Sequence, residues 1–237
     1  MQRVRVIGAG RAGGSVLRAL VDVGWDPAGV LRRGDPVADA AAGVDMLVIA
    51  TPDPVIAEVA AAIRPEADTV VVHLAGSLGL DVLDPHPRRA ALHPLVAMPS
   101  PQLGAARLRG GAWFAVAGDP LVIRVVEQLG GRWFEVDDEH RTAYHAAAAI
   151  ASNHLVALLG QVQRVAAPAG VPFDAYLDLA RATVENVAEL GPAAALTGPA
   201  ARGDWETIER HLAALPADER EAYRAMVRAA RRLLEEG

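Results

Sequence analysis

The chain has 237 residues, 52% of them hydrophobic and 22% charged, with a formal net charge of −6. That balance describes a globular chain and argues against nucleic acid or an anionic membrane as the main partner. Cysteine is absent and all 23 basic side chains are arginine, which excludes lysine Schiff bases, a lysine acid catalyst, thiol chemistry and cysteine-bound metals.

Val4-Arg5-Val6-Ile7 reads as a strand, and Arg11 to Val23 as a helix with an apolar face at Val16, Leu17, Leu20 and Val21. Between them Gly8-Ala9-Gly10-Arg11-Ala12-Gly13 matches G-x-G-x-x-G, directly after a strand and opening a helix. Each glycine has a physical task there. Gly8 permits the tight turn, Gly10 lets a pyrophosphate approach the backbone, and Gly13 lets helix and strand pack closely. Amides at the helix N-terminus hold the anion. The apolar start is too short for a signal peptide, and no stretch approaches the ~18 apolar residues of a membrane span, so a cytoplasmic protein is expected.

Gly29-Val30-Leu31 is the second strand. An enzyme preferring NAD carries an acid just beyond it, for the ribose 2′-hydroxyl. Here stand Arg32 and Arg33, two guanidiniums suited to a 2′-phosphate, so NADP is expected ahead of NAD. Asp45 to Ala50 is the third strand, and Thr51-Pro52-Asp53 at its carboxyl end is positioned to line a nicotinamide–ribose crevice. Pro54 to Ile63 reads as a helix and Thr69 to His73 as a strand. Further strands are expected at Ala91–His93, Ala112–Ala117 and Arg132–Val136, with Pro85 to Pro101 as connecting loop. Continuously apolar strands alternating with helices predict a doubly wound, mostly parallel sheet.

After Val136 the pattern turns helical, over Glu139–Ala167, Asp174–Leu190, Trp205–Leu215 and Asp218–Glu236. Two domains are expected: an α/β dinucleotide-binding domain over 1–137 and an all-helical domain over 138–237. Alanine-rich helices such as Ala143 to Gly160 allow close helix–helix approach, and a homodimer through them is expected.

Taken together, several segments resemble a known group. They are Val6 to Gly14, Ala50-Thr51-Pro52-Asp53, the His73-to-Gly79 loop, His93-Pro94-Leu95, Tyr144-His145, Ala151-Ser152-Asn153-His154, Leu196-Thr197-Gly198-Pro199 and Arg202-Gly203-Asp204. The chain resembles NADP-dependent oxidoreductase-like proteins with a Rossmann domain and a C-terminal helical domain of unknown function. These are distant relatives of pyrroline-5-carboxylate reductase, ketopantoate reductase, prephenate dehydrogenase and the β-hydroxyacid dehydrogenases. The resemblance implies a Rossmann domain, a C-terminal dimerisation domain like that of 6-phosphogluconate dehydrogenase, and a substrate cleft between them. It names no substrate. If Asn153 is the helical asparagine of the β-hydroxyacid enzymes, their acid–base lysine falls on Ala149. The serine that relatives carry in the His73 loop falls on Ala75, with Ser77 nearby instead.

Hydride transfer to a carbonyl or imine carbon needs a proton for the heteroatom, and histidine is the natural donor near neutral pH. The catalytic candidates are His145, His93 and Asn153. Because His145, Ser152 and Asn153 are seven and eight residues apart, one helix would carry them on neighbouring faces. Ser77, Ser152 and Arg202 are candidate substrate contacts, Arg202 for a carboxylate; no metal is expected. The leading expectation is NADP-dependent reduction of a small, carboxylate-bearing carbonyl or imine. The alternatives are a non-catalytic NADP(H)-binding sensor and, less favoured, an S-adenosylmethionine-dependent methyltransferase.

Overall fold

A computed structural model describes residues 1–235 of the chain. Its strands are β1 (Arg3–Ile7), β2 (Asp26–Leu31), β3 (Met46–Ile49), β4 (Val70–His73), β5 (Arg89–Pro94), β6 (Trp113–Gly118) and β7 (Arg132–Glu135). They form one seven-stranded sheet in the order β2-β1-β3-β4-β5-β6-β7. β1 to β5 are mutually parallel, β6 runs antiparallel to β5, and β7 parallels β6. This is the mostly parallel, doubly wound sheet expected from the alternation of apolar strands and helices.

The strands are apolar on both faces because both faces are covered. Val4, Val6, Met46, Val48, Val70 and Val72 share one core with α1 (Arg11–Asp22). Ile7, Leu47, Ile49 and Val71 belong to a second core on the opposite face, with Ile56 and Ala60 of α2 (Ile56–Ala61). A 3-10 turn at Asp53–Val55 precedes α2, so the helix expected from Pro54 starts later.

Two helices were not legible as periodic runs. α3 (Pro101–Leu108) begins where only loop was expected. Its start carries a local signature: the Ser100 side chain accepts a hydrogen bond from the Leu103 amide, and Pro101 occupies the first turn, where a missing N–H costs nothing. Gly104 lets α3 lie against α1, since a Cβ there would strike Ser15. α4 (Leu121–Gln128) is too short for a clear period, yet buries Leu121, Val122, Val125 and Val126.

The expected helical stretch over Glu139–Ala167 is helical almost throughout, but it is not a regular α-helix. A 3-10 turn at Asp138–His140 leads into α5 (Arg141–Ala149), a π-helical turn comes next at Ile150–His154, and then α6 (Leu155–Ala166). An extra residue in the turn rotates the downstream helix by roughly 100° relative to a regular one. The regular phase that was to align His145 with Ser152 and Asn153 therefore breaks at Ser152 and Asn153 themselves.

The chain divides into two compact units, Met1–Ser152 and Asn153–Gly237. The division falls after the change in character at Asp137-Asp138, because Asp138 and Tyr144 contact the sheet-bearing unit. The second unit holds α6, α7 (Phe173–Leu190), α8 (Pro192–Ala195), α9 (Gly198–Arg202), α10 (Trp205–Ala214) and α11 (Arg220–Leu233). Its buried cluster is Ile208, Leu212 and Leu215, against Val165, Tyr223 and Val227. Two short helices, α8 and α9, lie between the expected helices ending at Leu190 and starting at Trp205, and the expected helix end at Glu236 lies outside the described residues. Among the described residues no helix is long and apolar enough to cross a membrane.

Candidate active site

The strand order reverses between β1 and β3, where a doubly wound sheet opens its ligand crevice at the carboxyl edge. The glycine loop stands on that edge. Gly8 has φ +101°, and a Cβ on it would lie 2.6 Å from the Ala50 carbonyl oxygen. Its amide donates to Leu31 O at 2.9 Å, tying the loop to the end of β2. A Cβ on Gly13 would strike the Gly8 carbonyl and the Ala50 and Val6 side chains, so α1 lies against the sheet only because Gly13 has none. At Gly10 a Cβ would meet nothing within 4 Å. That open spot lies at the N-terminus of a twelve-residue helix with no side-chain cap and no acid in its first turn.

These features fit a dinucleotide pyrophosphate: free amides, no competing carboxylate, and a backbone a phosphate can reach. Ala9, Gly10, Arg11 and Ala12 would face it. Thr51 adds an independent sign. Its hydroxyl is buried, has no hydrogen-bond partner among the described residues, and its amide adjoins Gly8. Pro52 is exposed and Asp53 half-buried beside it. Arg32 and Arg33 are exposed where β2 ends. Asp35 Oδ2 accepts the Arg32 amide at 2.7 Å, which turns the chain there.

Two strands further along the same edge lies a cluster of ionisable side chains. His73 ends β4 and is fully buried. Its Nδ1 accepts the Ala75 amide at 3.2 Å, so the Nε2 proton goes to Gly79 O, also at 3.2 Å. Those two bonds close the loop from Leu74 to Leu78. Burial first, and the nearby Arg141 charge second, lower the His73 pKa to about 4.

His93 stands on β5, with Nδ1 2.6 Å from the Tyr144 hydroxyl on α5. Its ring also meets His145 edge-on, centroids 5.7 Å apart. Burial, then the charges of His145 and Arg141, lower its pKa to about 4, while burial raises Tyr144 to about 12. The pair is therefore neutral across the physiological range. Phe134 braces the Tyr144 ring edge-on at 5.7 Å. Gly76, in the loop after β4, fits between the two histidines: a Cβ there would lie 2.7 Å from His145 Cδ2 and 2.9 Å from His93 Nε2.

Comparison with known proteins agrees with this architecture. Residues 114–230 match the family model described as a domain of unknown function (DUF2520). No curated protein matches the chain. Among solved structures, a Bacteroides fragilis protein provisionally named an NADP oxidoreductase superposes with a TM-score of 0.81 at 22% identity, covering 98% of both chains. A Thermotoga maritima protein gives 0.72 at 24% identity, again over 98% of both. A reductive aminase from Aspergillus terreus, in complex with NADPH, cyclohexanone and allyl amine, gives 0.71 at 17% identity, covering 98% of this chain and 94% of its own. At these identities the likeness is one of fold: a Rossmann-like domain followed by a helical C-terminal part.

The first unit thus brings His93 and His145 together, beside the loop that carries half-buried Ser77. Ser152, Asn153 and Arg202 are exposed; Asn153 and Arg202 belong to the second unit. There Asp204 caps α10 by accepting the Thr207 amide at 3.1 Å, and His211 bonds the Tyr223 hydroxyl at 2.7 Å. Sequence reasoning missed Tyr144, His73 and Gly76 as site members. The Tyr144-His145 pair was visible as a motif, but nothing in the sequence pairs Tyr144 with a residue 51 positions earlier.

Proposed function

We propose that the protein is an NADP-dependent oxidoreductase that reduces a small, carboxylate-bearing carbonyl or imine compound. The observation that carries this reading is the His93–Tyr144–His145 cluster on the same sheet edge as the glycine loop. The solved relatives named with NADP or NADPH support a nicotinamide cofactor. Arg32 and Arg33, with no acid at the end of β2, favour NADP over NAD.

The bound nicotinamide would supply the hydride. Gly8, Gly10, Gly13 and Thr51 would hold its dinucleotide, and Ser77 would contact the substrate. His93 is held unprotonated by burial, so it serves as a relay and not as the resident acid. The proton for the substrate heteroatom is assigned to His145, which is half-buried and reachable. Tyr144 fixes the His93 ring through Nδ1 and can pass a proton along that bond.

A homodimer is part of this reading. α7 runs eighteen residues with none buried, and Leu179, Val184, Val187 and Leu190 on it are exposed. Leu155, Val156 and Leu158 on α6 are exposed as well. Apolar side chains repeated along two helices suit self-association through a two-fold contact.

The deciding experiment is NADPH binding by fluorescence, followed by NADPH oxidation against a panel of carbonyls and preformed imines. Binding with turnover that His145→Ala abolishes supports the reading. Binding without turnover against any member points to a sensor. Preferential binding of S-adenosylmethionine would point to a methyltransferase.

A further inference from the structure

One charged side chain lies inside the first unit with most of its donors unused. Arg141, the first residue of α5, is fully buried. Its Nε donates to Asp138 Oδ1 at 2.8 Å. Its Nη1 and Nη2 have no hydrogen-bond partner among the described residues. A guanidinium carries five N–H donors, and four of them belong to those two nitrogens. Asp138 is 66% exposed, so solvent screens the one ion pair that Arg141 has among the described residues. Unmet donors on a buried charge are costly, and folds retain them where something else completes the bonds.

The surroundings say what that would be. Arg141 stands three residues before Tyr144, one turn away on α5, and its charge reaches both His73 and His93. The Asp138 carboxylate that orients it also packs against Gly79, at the end of the loop that carries Gly76. That loop lies against both imidazoles, since a Cβ on Gly76 would sit 2.7 Å from His145 Cδ2 and 2.9 Å from His93 Nε2. Two parallel N–H donors on a planar guanidinium match a planar carboxylate.

We infer that Arg141 is the anion receptor of this site, gripping through Nη1 and Nη2 the carboxylate of a 2-oxo or 2-imino acid. The assignment rests on the reductase reading for the fate of the neighbouring carbon, but not for the binding of the carboxylate. It also places the anion contact on α5 of the first unit, ahead of Arg202, which is exposed.

The test is a titration of the full chain with pyruvate, tracking the imidazole signals of His93 and His145 by nuclear magnetic resonance. Pyruvamide, the neutral isostere, is the control ligand. Pyruvate should shift both signals and saturate, and pyruvamide should bind at least about tenfold more weakly. Arg141→Gln should weaken pyruvate by a similar factor. Arg141→Lys should recover only part of the loss, since it keeps the charge without the fork. Arg141→Met should unfold at the same temperature as the parent or higher, because a buried charge whose Nη1 and Nη2 donors are unmet has gone. A purely structural arginine would show a clear drop instead. NADPH affinity reports on the glycine loop and should stay within about twofold throughout.

Three results would overturn the assignment: no shift up to about 50 mM pyruvate, a scale set by millimolar affinities, equal binding of pyruvamide, or unchanged pyruvate affinity in Arg141→Gln. If that variant fails to fold, Arg141→Lys and the pyruvamide comparison still decide. Carboxylate binding without NADPH turnover would sink the reductase reading and leave the receptor standing. Turnover of neutral carbonyls as fast as carboxylates would do the reverse.

Discussion

The Tyr144 hydroxyl lies 2.6 Å from His93 Nδ1, joining α5 to the fifth strand of the sheet. The two residues are 51 positions apart, and neither is fully exposed. Burial holds the imidazole unprotonated and the phenol protonated. In the proposed reaction this bond sets which nitrogen of His93 carries the hydrogen. Tyr144→Phe removes it while keeping the ring against Phe134. Turnover should fall by about 10²-fold, in the range of lost proton-transfer partners. NADPH affinity should hold, because the glycine loop is untouched. An equal loss in NADPH binding would show that Tyr144 acts on the fold and not on the proton.

Gly76 offers a sharper steric test. A methyl group there would sit 2.7 Å from His145 Cδ2 and 2.9 Å from His93 Cε1, so one ring must move. Gly76→Ala should therefore cut turnover by at least about tenfold, the scale of a misplaced reacting group. NADPH binding should be retained. Full activity in this variant would mean that the two rings are not both engaged in the reaction.

The sign of the pH dependence of stability is set by His73. Its folded pKa is lowered from 6.5 to about 4 by burial and by Arg141. The unfolded chain therefore takes up this proton first as pH falls. Stability from this group is complete above pH 6.5 and is lost as pH falls toward 4. The loss amounts to roughly 3 kcal/mol, from about 1.36 kcal/mol per pKa unit. His93 adds in the same direction. Urea unfolding between about pH 7 and pH 4.5 should show the decline, and His73→Gln should flatten it relative to the parent. Identical slopes in the two proteins would contradict the burial argument.

Cofactor choice is testable at the end of the second strand. Arg32→Ser with Arg33→Ser removes both guanidiniums that would face a 2′-phosphate. NADPH affinity should drop about 10- to 100-fold, the worth of one or two charge-assisted bonds. NADH affinity should change little. A parallel loss for both nucleotides would place the arginines elsewhere than at the 2′ position.

The dimer is tested by light scattering on the eluting peak. The expected mass is twice the 24.8 kDa of one chain. Val156→Asp with Leu179→Asp puts charges on the exposed apolar faces of α6 and α7 and should yield the monomer. A monomer in the parent at micromolar concentration would remove the dimer from the reading.

Much of the sheet could be read directly because its signals are local. Val6 to Gly13 contains a strand, a turn and a helix start within one short segment, and glycine there has backbone reasons that need no distant partner. The runs at Met46–Ile49 and Val70–His73 are apolar throughout because parallel strands are covered on both faces. Arg32 and Arg33 were legible for the same reason, since their place is fixed by the length of one strand. α3 and α4 were missed because an eight-residue helix gives too few turns for a period, although Ser100-Pro101 marked the start of the first. The phase of Ser152 and Asn153 was misread because a π-turn leaves no mark in composition.

The amino-acid order by itself determined the layered α/β first half, the glycine loop, and the exclusion of lysine and thiol chemistry. Those conclusions depend on residue identity and on neighbours within a few positions. The tertiary structure alone decided that His93 bonds Tyr144, that Gly76 lies against two histidines, and that Arg141 is buried with two nitrogens unpaired among the described residues. In the sequence Arg141 is one of 23 arginines, each as fit for solvent as the next. Burial and pairing are set by which distant segments the sheet brings together, and only the folded chain carries that information.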